Sequence, residues 1–163
     1  MTKHKILAEK ISISFVLLLS ILYIVLTIHP DNIWADAVRF YTYTLQFAPD
    51  SARLHNNLGM SLANEGNVNE AIVQYKKALA FCQGYPQIYN NLGNADMTAG
   101  DYTDAEINLK KALQLSLGLV VVKNNLIRLY LLTEQFDKAR VLSKNNSQVE
   151  QIIQSQSLQK NKL

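Results

Sequence analysis

A 34-residue period constrains this chain more than any other feature. Asn56-Asn57-Leu58-Gly59 returns as Asn90-Asn91-Leu92-Gly93, and again as Asn124-Asn125-Leu126-Ile127. In the same register Gly66 returns as Gly100 and then Glu134, Ala71 as Ala105 and Ala139, and Ala78 as Ala112. Read backwards, Ala37 precedes Ala71, and Trp34 precedes Val68, Tyr102 and Phe136. A period of this length marks a unit that cannot bury its apolar face alone and stacks on copies of itself.

The pattern resembles the tetratricopeptide-repeat (TPR) family, on Leu58-Gly59, Ala71, Tyr75 and Ala78 in one repeat and Leu92-Gly93, Ala105 and Ala112 in the next. The resemblance spans about residues 31–144. It implies an all-α solenoid of antiparallel helix pairs, divided here as a half repeat 31–51 and repeats 52–85, 86–119 and 120–144. Small residues then let the helices of a pair approach: Gly59 against Ala71, Gly93 against Ala105. Gly66 and Gly100 suit the left-handed residue closing a first helix. Asn67 and Asp101 suit the N-cap of the second, with Glu70 and Asp104 three residues on. The third pair departs from the pattern with Ile127, Glu134 and Asn146, as terminal repeats do when one face meets water. Residues 145–163 read as a capping helix and a tail.

Before the repeats the composition changes. Ile11 to Ile28 is eighteen residues without a charge, roughly 27 Å as a helix and close to the thickness of a bilayer core. The expectation is a transmembrane helix over 11–28, in contact with lipid, behind a basic flank 1–10. Lys3, Lys5 and Lys10 precede the span, whereas only Arg39 follows within twenty residues. That bias keeps the flank cytoplasmic and places the repeats outside, in the periplasm of a Gram-negative cell. Ala35-Asp36-Ala37 resembles a signal-cleavage site, but the apolar run exceeds the ~7–15 residues of a signal core. An anchor is the better fit.

Residues 31–163 hold 13 Lys and Arg against 12 Asp and Glu, a balance that excludes a nucleic-acid footprint. One cysteine, Cys82, excludes a disulfide framework and a cysteine-rich metal site. His4, His29 and His55 are scattered, and no nucleophile, phosphate loop or metal motif stands beside them. The expectation is a non-enzyme with no metal and no cofactor. Asn145-Asn146-Ser147 matches a glycosylation sequon, a short pattern of little weight. Lys76-Lys77 and Lys110-Lys111 recur at the repeat period on second helices and read as a solvated face.

The TPR resemblance implies that first helices line a concave groove, with the residue before each Leu-Gly pointing into it. Those positions are Asn57, Asn91 and Asn125, and Arg53, Asn90, Asn94 and Arg128 face the same side. An asparagine amide carries two donors and an acceptor, so such a ladder suits a protein or extended peptide held by its backbone. One TPR subclass grips C-terminal carboxylates with Lys and Arg. Here Asn56, Met60 and Val121 stand at those places, which disfavours that mode.

Trp34, Phe40 and Tyr43, with Tyr41 and Phe47, make the half repeat strongly aromatic. They form either a bilayer-interface belt or a docking face for another membrane subunit. The leading expectation is a membrane-anchored scaffold that binds proteins in its groove. The alternative starts from Trp34-x-Asp36, Pro49-Asp50-Ser51-Ala52-Arg53 and His55-Asn56-Asn57-Leu58-Gly59. This stretch is similar to the one after the last span of multi-span O-mannosyltransferase-like proteins with repeat tails. That would make the chain a detached tail or accessory subunit of such a protein.

Overall fold

The computed structural model describes residues 13–23, 36–116, 118, 120–144 and 146–160, and every regular element among them is helical. The chain divides into two compact units, Met1–Phe40 and Tyr41–Leu163. In the first, residues 13–23 form helix α1, whose large apolar side chains stay exposed, from Leu19 at 47% to Tyr23 at 71%. No helix among the described residues is long and apolar enough to cross a membrane. Of the expected span 11–28, residues 11–12 and 24–28 lie outside the described residues, as do the basic flank and Trp34.

Helix α2, Ala37–Leu45, starts where Asp36 caps it: the Arg39 N–H donates to Asp36 Oδ1 at 3.0 Å. It ends in tight turns, with the Gln46 and Phe47 N–H groups donating to the Tyr43 and Thr44 carbonyls ahead of Pro49. None of its residues is buried. Residues 31–35, expected to begin this helix, are outside the described residues.

The second unit continues as α3 (Ala52–Asn64), α4 (Val68–Phe81), α5 (Pro86–Ala99), α6 (Tyr102–Leu115), α7 (Val120–Leu132), α8 (Phe136–Ser143) and α9 (Ser147–Lys160). From α3 onward each helix packs on the next, and α5 also touches α3 and α7. Ser51 caps α3 by accepting from the Leu54 N–H at 3.3 Å. Each first helix closes on a left-handed residue: Gly66 at φ 85°, Gly100 at φ 89°, and Glu134 at φ 55°. The chain folds back through Asn67 N–H to the Leu62 carbonyl (2.9 Å), Asp101 to Asp96 (2.9 Å) and Gln135 to Tyr130 (2.8 Å).

The expected side-chain caps do not form. Asn67 (φ −80°, ψ 59°) and Asp101 (φ −83°, ψ 66°) make no capping hydrogen bond. Both lie in tight turns in which the next N–H, of Val68 or Tyr102, donates to the glycine carbonyl two residues back at 2.9 Å. The backbone thereby satisfies a donor that the side chain was expected to hold.

The close approach within each pair also differs from expectation. A Cβ on Gly59 would lie 2.6 Å from the Tyr75 ring, so this glycine makes room for Tyr75 rather than Ala71. Gly93 does face Ala105, whose carbonyl lies 3.2 Å from such a Cβ, but Leu109 is nearer at 2.7 Å. In the third pair the same register reads Ile127 and Ser143, with the bulk moved to the other helix. Ala71, Ala78, Ala105, Ala112 and Ala139 are fully buried between helices.

Two polar nodes tie the stack together. His55 is 7% exposed and stacks on Phe81. Its Nε2 donates to the Pro49 carbonyl and its Nδ1 meets the Gln74 side-chain amide, both at 2.8 Å. Glu106 on α6 accepts from Lys110, from Lys138 of α8 and from the Tyr130 hydroxyl of α7. The Lys110 hydrogen bond, followed by those from Lys138 and Tyr130, holds its carboxyl below the usual range against the opposing effect of burial.

The stack ends by a change of length. Helix α8 has 8 residues where α4 and α6 have 14. Helix α9 begins at Ser147, about two turns before the position that the 34-residue period would give. Asn146, out of place in the repeat pattern, caps α9 by accepting from the Gln148 N–H at 2.9 Å. Arg140 reaches both carboxylate oxygens of Glu150, and Ile153 is buried at 4%.

Candidate functional site

Side chains of α3, α5 and α7, with the loop before α5, form a half-open cavity of about 580 Å³. Its apolar lining comes from Ala52, Met60, Ile88 and Val121, with Tyr85 and half-buried Cys82 from the loop. Its polar lining is Arg53, Asn56, Asn57, Gln87, Asn90 and Asn91. The helical register explains the split: Arg53, Asn56, Asn57 and Met60 recur three and four residues apart on one face of α3. Arg53 is exposed, is the one cation among the lining residues, and makes no ion pair among the described residues.

The asparagines are joined to one another. Asn91 Nδ2 donates to Asn56 Oδ1 at 3.0 Å, and one repeat on Asn125 Nδ2 donates to Asn90 Oδ1 at 2.9 Å. Each pair links a first helix to the first helix before it. Within each dyad a longer contact of 3.4 Å runs from Asn56 to Asn57 and from Asn90 to Asn91. Arg128 extends the series by donating to Asn94 Oδ1 at 3.0 Å.

This places the seven residues expected in the groove. Arg53, Asn57, Asn90 and Asn91 line the cavity. Asn94 lines a smaller hollow of about 230 Å³ beside Met60 and Asn91. Arg128 lines a third hollow, of about 540 Å³, between α7 and α9. Asn125 is half-buried, donates to buried Asn90 and lines none of these hollows. Asn91 and Asn125 therefore spend one donor each on the neighbouring repeat. Among the described residues Asn57 donates neither of its side-chain N–H groups and is the least committed of the three.

The second candidate surface lies only in part among the described residues. Phe40 is half-buried and Tyr43 is 46% exposed, its ring meeting 72%-exposed Phe47 edge-on at 5.2 Å. Cys82, Tyr85, Gln87 and Ile88 were not anticipated as lining residues. The sequence signal for them is weak: Gln87 takes the register of Arg53 one repeat on, while Cys82, Tyr85 and Ile88 stand at or beside the turn into α5. Among the described residues no group of three or more His, Cys, Asp or Glu is placed to hold a metal ion.

An all-α stack of antiparallel pairs, with first helices stapled along one face, is a TPR-like helical solenoid. Two family models match the chain, one described as TPR repeat over residues 61–100 and one as tetratricopeptide repeat over 87–117. Among solved structures, the crystal structure of MamA is 21% identical, with 71% of this chain covering 72% of that one at a TM-score of 0.61. The TPR domain of Arabidopsis OM64 is 23% identical over 59% of this chain and 79% of its own, at 0.57. The second TPR domain of human RPAP3, determined by NMR with the HSP70 peptide SGPTIEEVD, is 20% identical over 56% and 77%, at 0.55. At such identities the likeness is one of fold. No curated protein sequence matches this one.

Proposed function

We propose that this chain is a scaffold that holds an extended segment of a partner protein in the groove of α3, α5 and α7. The single observation that carries this is the 580 Å³ cavity, which sets apolar side chains beside the Asn57 amide and the Arg53 guanidinium, neither of which donates to another side chain among the described residues. Sites of this size with a few convergent polar groups are the usual form of a recognition pocket. The OM64 and RPAP3 domains share the fold, and the RPAP3 structure contains a bound peptide. Asn56, Met60 and Val121 offer no cation for a terminal carboxylate, so recognition here rests on the partner's backbone amides, an apolar side chain and the Arg53 guanidinium at the rim.

Peptides selected from a random display library against the full chain test this reading. Met60→Arg fills the cavity and should abolish capture, with helical content unchanged, while Val73→Ser on a second helix should leave it intact. Equal capture by Met60→Arg refutes groove binding.

Membrane attachment through residues 11–28, with the repeats outside the cytoplasm, is part of the same proposal. It is supported by the charge-free run and by the exposed apolar side chains of α1. A C-terminal reporter active only outside the cytoplasm should be active, and a silent fusion refutes the orientation. The reading as accessory subunit of a multi-span glycosyltransferase-like protein is favoured by one observation, the absence of any buried residue on aromatic α2. Phe40→Ser with Tyr43→Ser should then remove a membrane-protein cross-link while sparing peptide capture.

A further inference from the structure

The second helices carry an apolar residue where solvent would favour a charge. Val73, Ile107 and Val141 occupy the same register of α4, α6 and α8 and are 50%, 60% and 80% exposed. Each is aliphatic, and the three recur at the repeat period. Isolated exposed aliphatics need no explanation, but three in one register form a pattern.

The charges around them are also ordered. Three residues before Val73 and Ile107 stand Glu70 and Asp104, both exposed. Three residues after each aliphatic stand Lys76 and Lys110, on the helices, and Lys144, the left-handed residue just beyond α8, in strict period and all exposed. On a helix, positions three apart share a face. Across α4 and α6 the outer surface therefore carries aliphatic positions between an acidic side toward the helix N-termini and a basic side toward the C-termini, Lys110 being also paired with Glu106. In the third repeat Lys138 takes that register and pairs with Glu106, and the acid there is Asp137, one residue earlier and paired with Arg140 at 3.2 Å.

This order selects an occupant. An anionic bilayer would be drawn to the lysines and repelled by the acidic side. A surface with acid on one side and base on the other complements its own image after a half-turn about an axis along the row of repeats. That rotation reverses helix direction and sets Glu70 of one copy against Lys76 of the other, and Asp104 against Lys110. The two-fold axis perpendicular to it would set like charges together, and like charges in register are unfavourable. We infer that the outer faces of α4, α6 and α8 pair two copies of this chain, antiparallel and repeat to matching repeat, through Val73, Ile107 and Val141. An isologous contact of this kind is the commonest route to a closed dimer. It leaves the groove on the first helices free in both copies, and it does not depend on what the groove binds.

Cysteine cross-linking of the full chain in a Cys82→Ser background tests the arrangement. Each position lies against its own counterpart, so Val73→Cys, Ile107→Cys and Val141→Cys should each give a disulfide-linked dimer, whereas Met60→Cys in the groove should not. Cross-linking at Ile107→Cys alone, with Val73→Cys linking to Val141→Cys, would overturn the antiparallel geometry. Adding Glu70→Lys, or separately Lys76→Glu, should reduce the Ile107→Cys dimer roughly five-fold, because each sets like charges face to face. Mixing those two variants should restore it as a heterodimer. All these positions are exposed, so circular dichroism should match the parent. An unchanged yield in every charge variant, or binding to anionic vesicles without any dimer, overturns the proposal.

Discussion

Asparagine at 56, 57, 90, 91, 124 and 125 was legible as a ladder, but its use was only half legible. A single repeat shows that an amide points at the groove, while only the stacked repeats show that Asn91 and Asn125 donate backwards to Asn56 and Asn90. A buried or half-buried hydrogen bond of this kind contributes about 1 kcal/mol. Asn91→Ala and Asn125→Ala should each lower unfolding free energy by about that amount, whereas Asn57→Ala should cost little and act on partner binding. Urea titration of the three variants separates these roles; equal losses would mean that Asn57 is structural too. A second residue works against stability. Asp96 is 3% exposed, and burial raises its carboxyl above the ordinary range, against a 2.7 Å hydrogen bond from Asn108. The folded chain thus binds this proton more tightly than the unfolded chain. Its contribution to stability declines as pH rises from the unfolded value, roughly 3.9, through the raised folded one. Asp96→Asn keeps an acceptor for Asn108 and removes the charge. It should melt at higher temperature than the parent at neutral pH, with the advantage vanishing below about pH 3.9. A lower melting temperature at neutral pH would refute the sign.

Within a helix pair, the repeat register identified which residues are small but not what they face. Sequence spacing paired Gly59 with Ala71, the next small residue, whereas the structure pairs it with the Tyr75 ring one turn on. The missing information is tilt: where two helices cross, a glycine opens space for a large neighbour's side chain, and spacing alone does not reveal which. The third pair shows the converse, Ile127 with Ser143 in the register of Gly93 with Leu109. Gly93→Ile should overpack against Leu109 and cost about 1–3 kcal/mol or more. Leu109→Ser should also cost stability, by leaving a cavity with a hydroxyl in it. Together they copy the third pair, so the double variant should lose less than the sum of the two. A strictly additive result in denaturant melts would show that the exchange of bulk has no structural meaning. The turns offer a simpler case. Glu134 adopts φ 55° where the earlier repeats have glycine, so Glu134→Gly should stabilise by about 0.5–1 kcal/mol. A loss of stability instead would show that the Glu134 side chain contributes more than its backbone strain costs.

At the scale of the repeat unit, stability in a solenoid is close to a sum of repeat terms and neighbour terms, so its ends matter most. The core cluster is weighted toward the C-terminal half: Leu109, Val122, Leu126 and Leu129 are its largest fully buried side chains, and Val149 of α9 packs against it. Without a helix after α8, the C-terminal side of that cluster would face water. The chain instead shortens α8, caps α9 with Asn146 and brings Ile153 into the position of a first-helix core residue. The amphipathic spacing of Val149, Ile152 and Ile153 made a terminal helix legible. Its early start was not, because the cap that shifts it is an asparagine standing where the repeat has alanine. Ile153→Ser removes a buried side chain and places a hydroxyl in its pocket, a change of about 2–4 kcal/mol. If α9 is what closes the stack, that loss should be unevenly distributed. Hydrogen exchange should show the amides of α8 and the C-terminal half of α7 losing protection first, while those of α3 and α4 keep theirs. Uniform loss from α3 to α8 would mean that the repeats unfold as one unit, and that α9 adds stability without guarding an end.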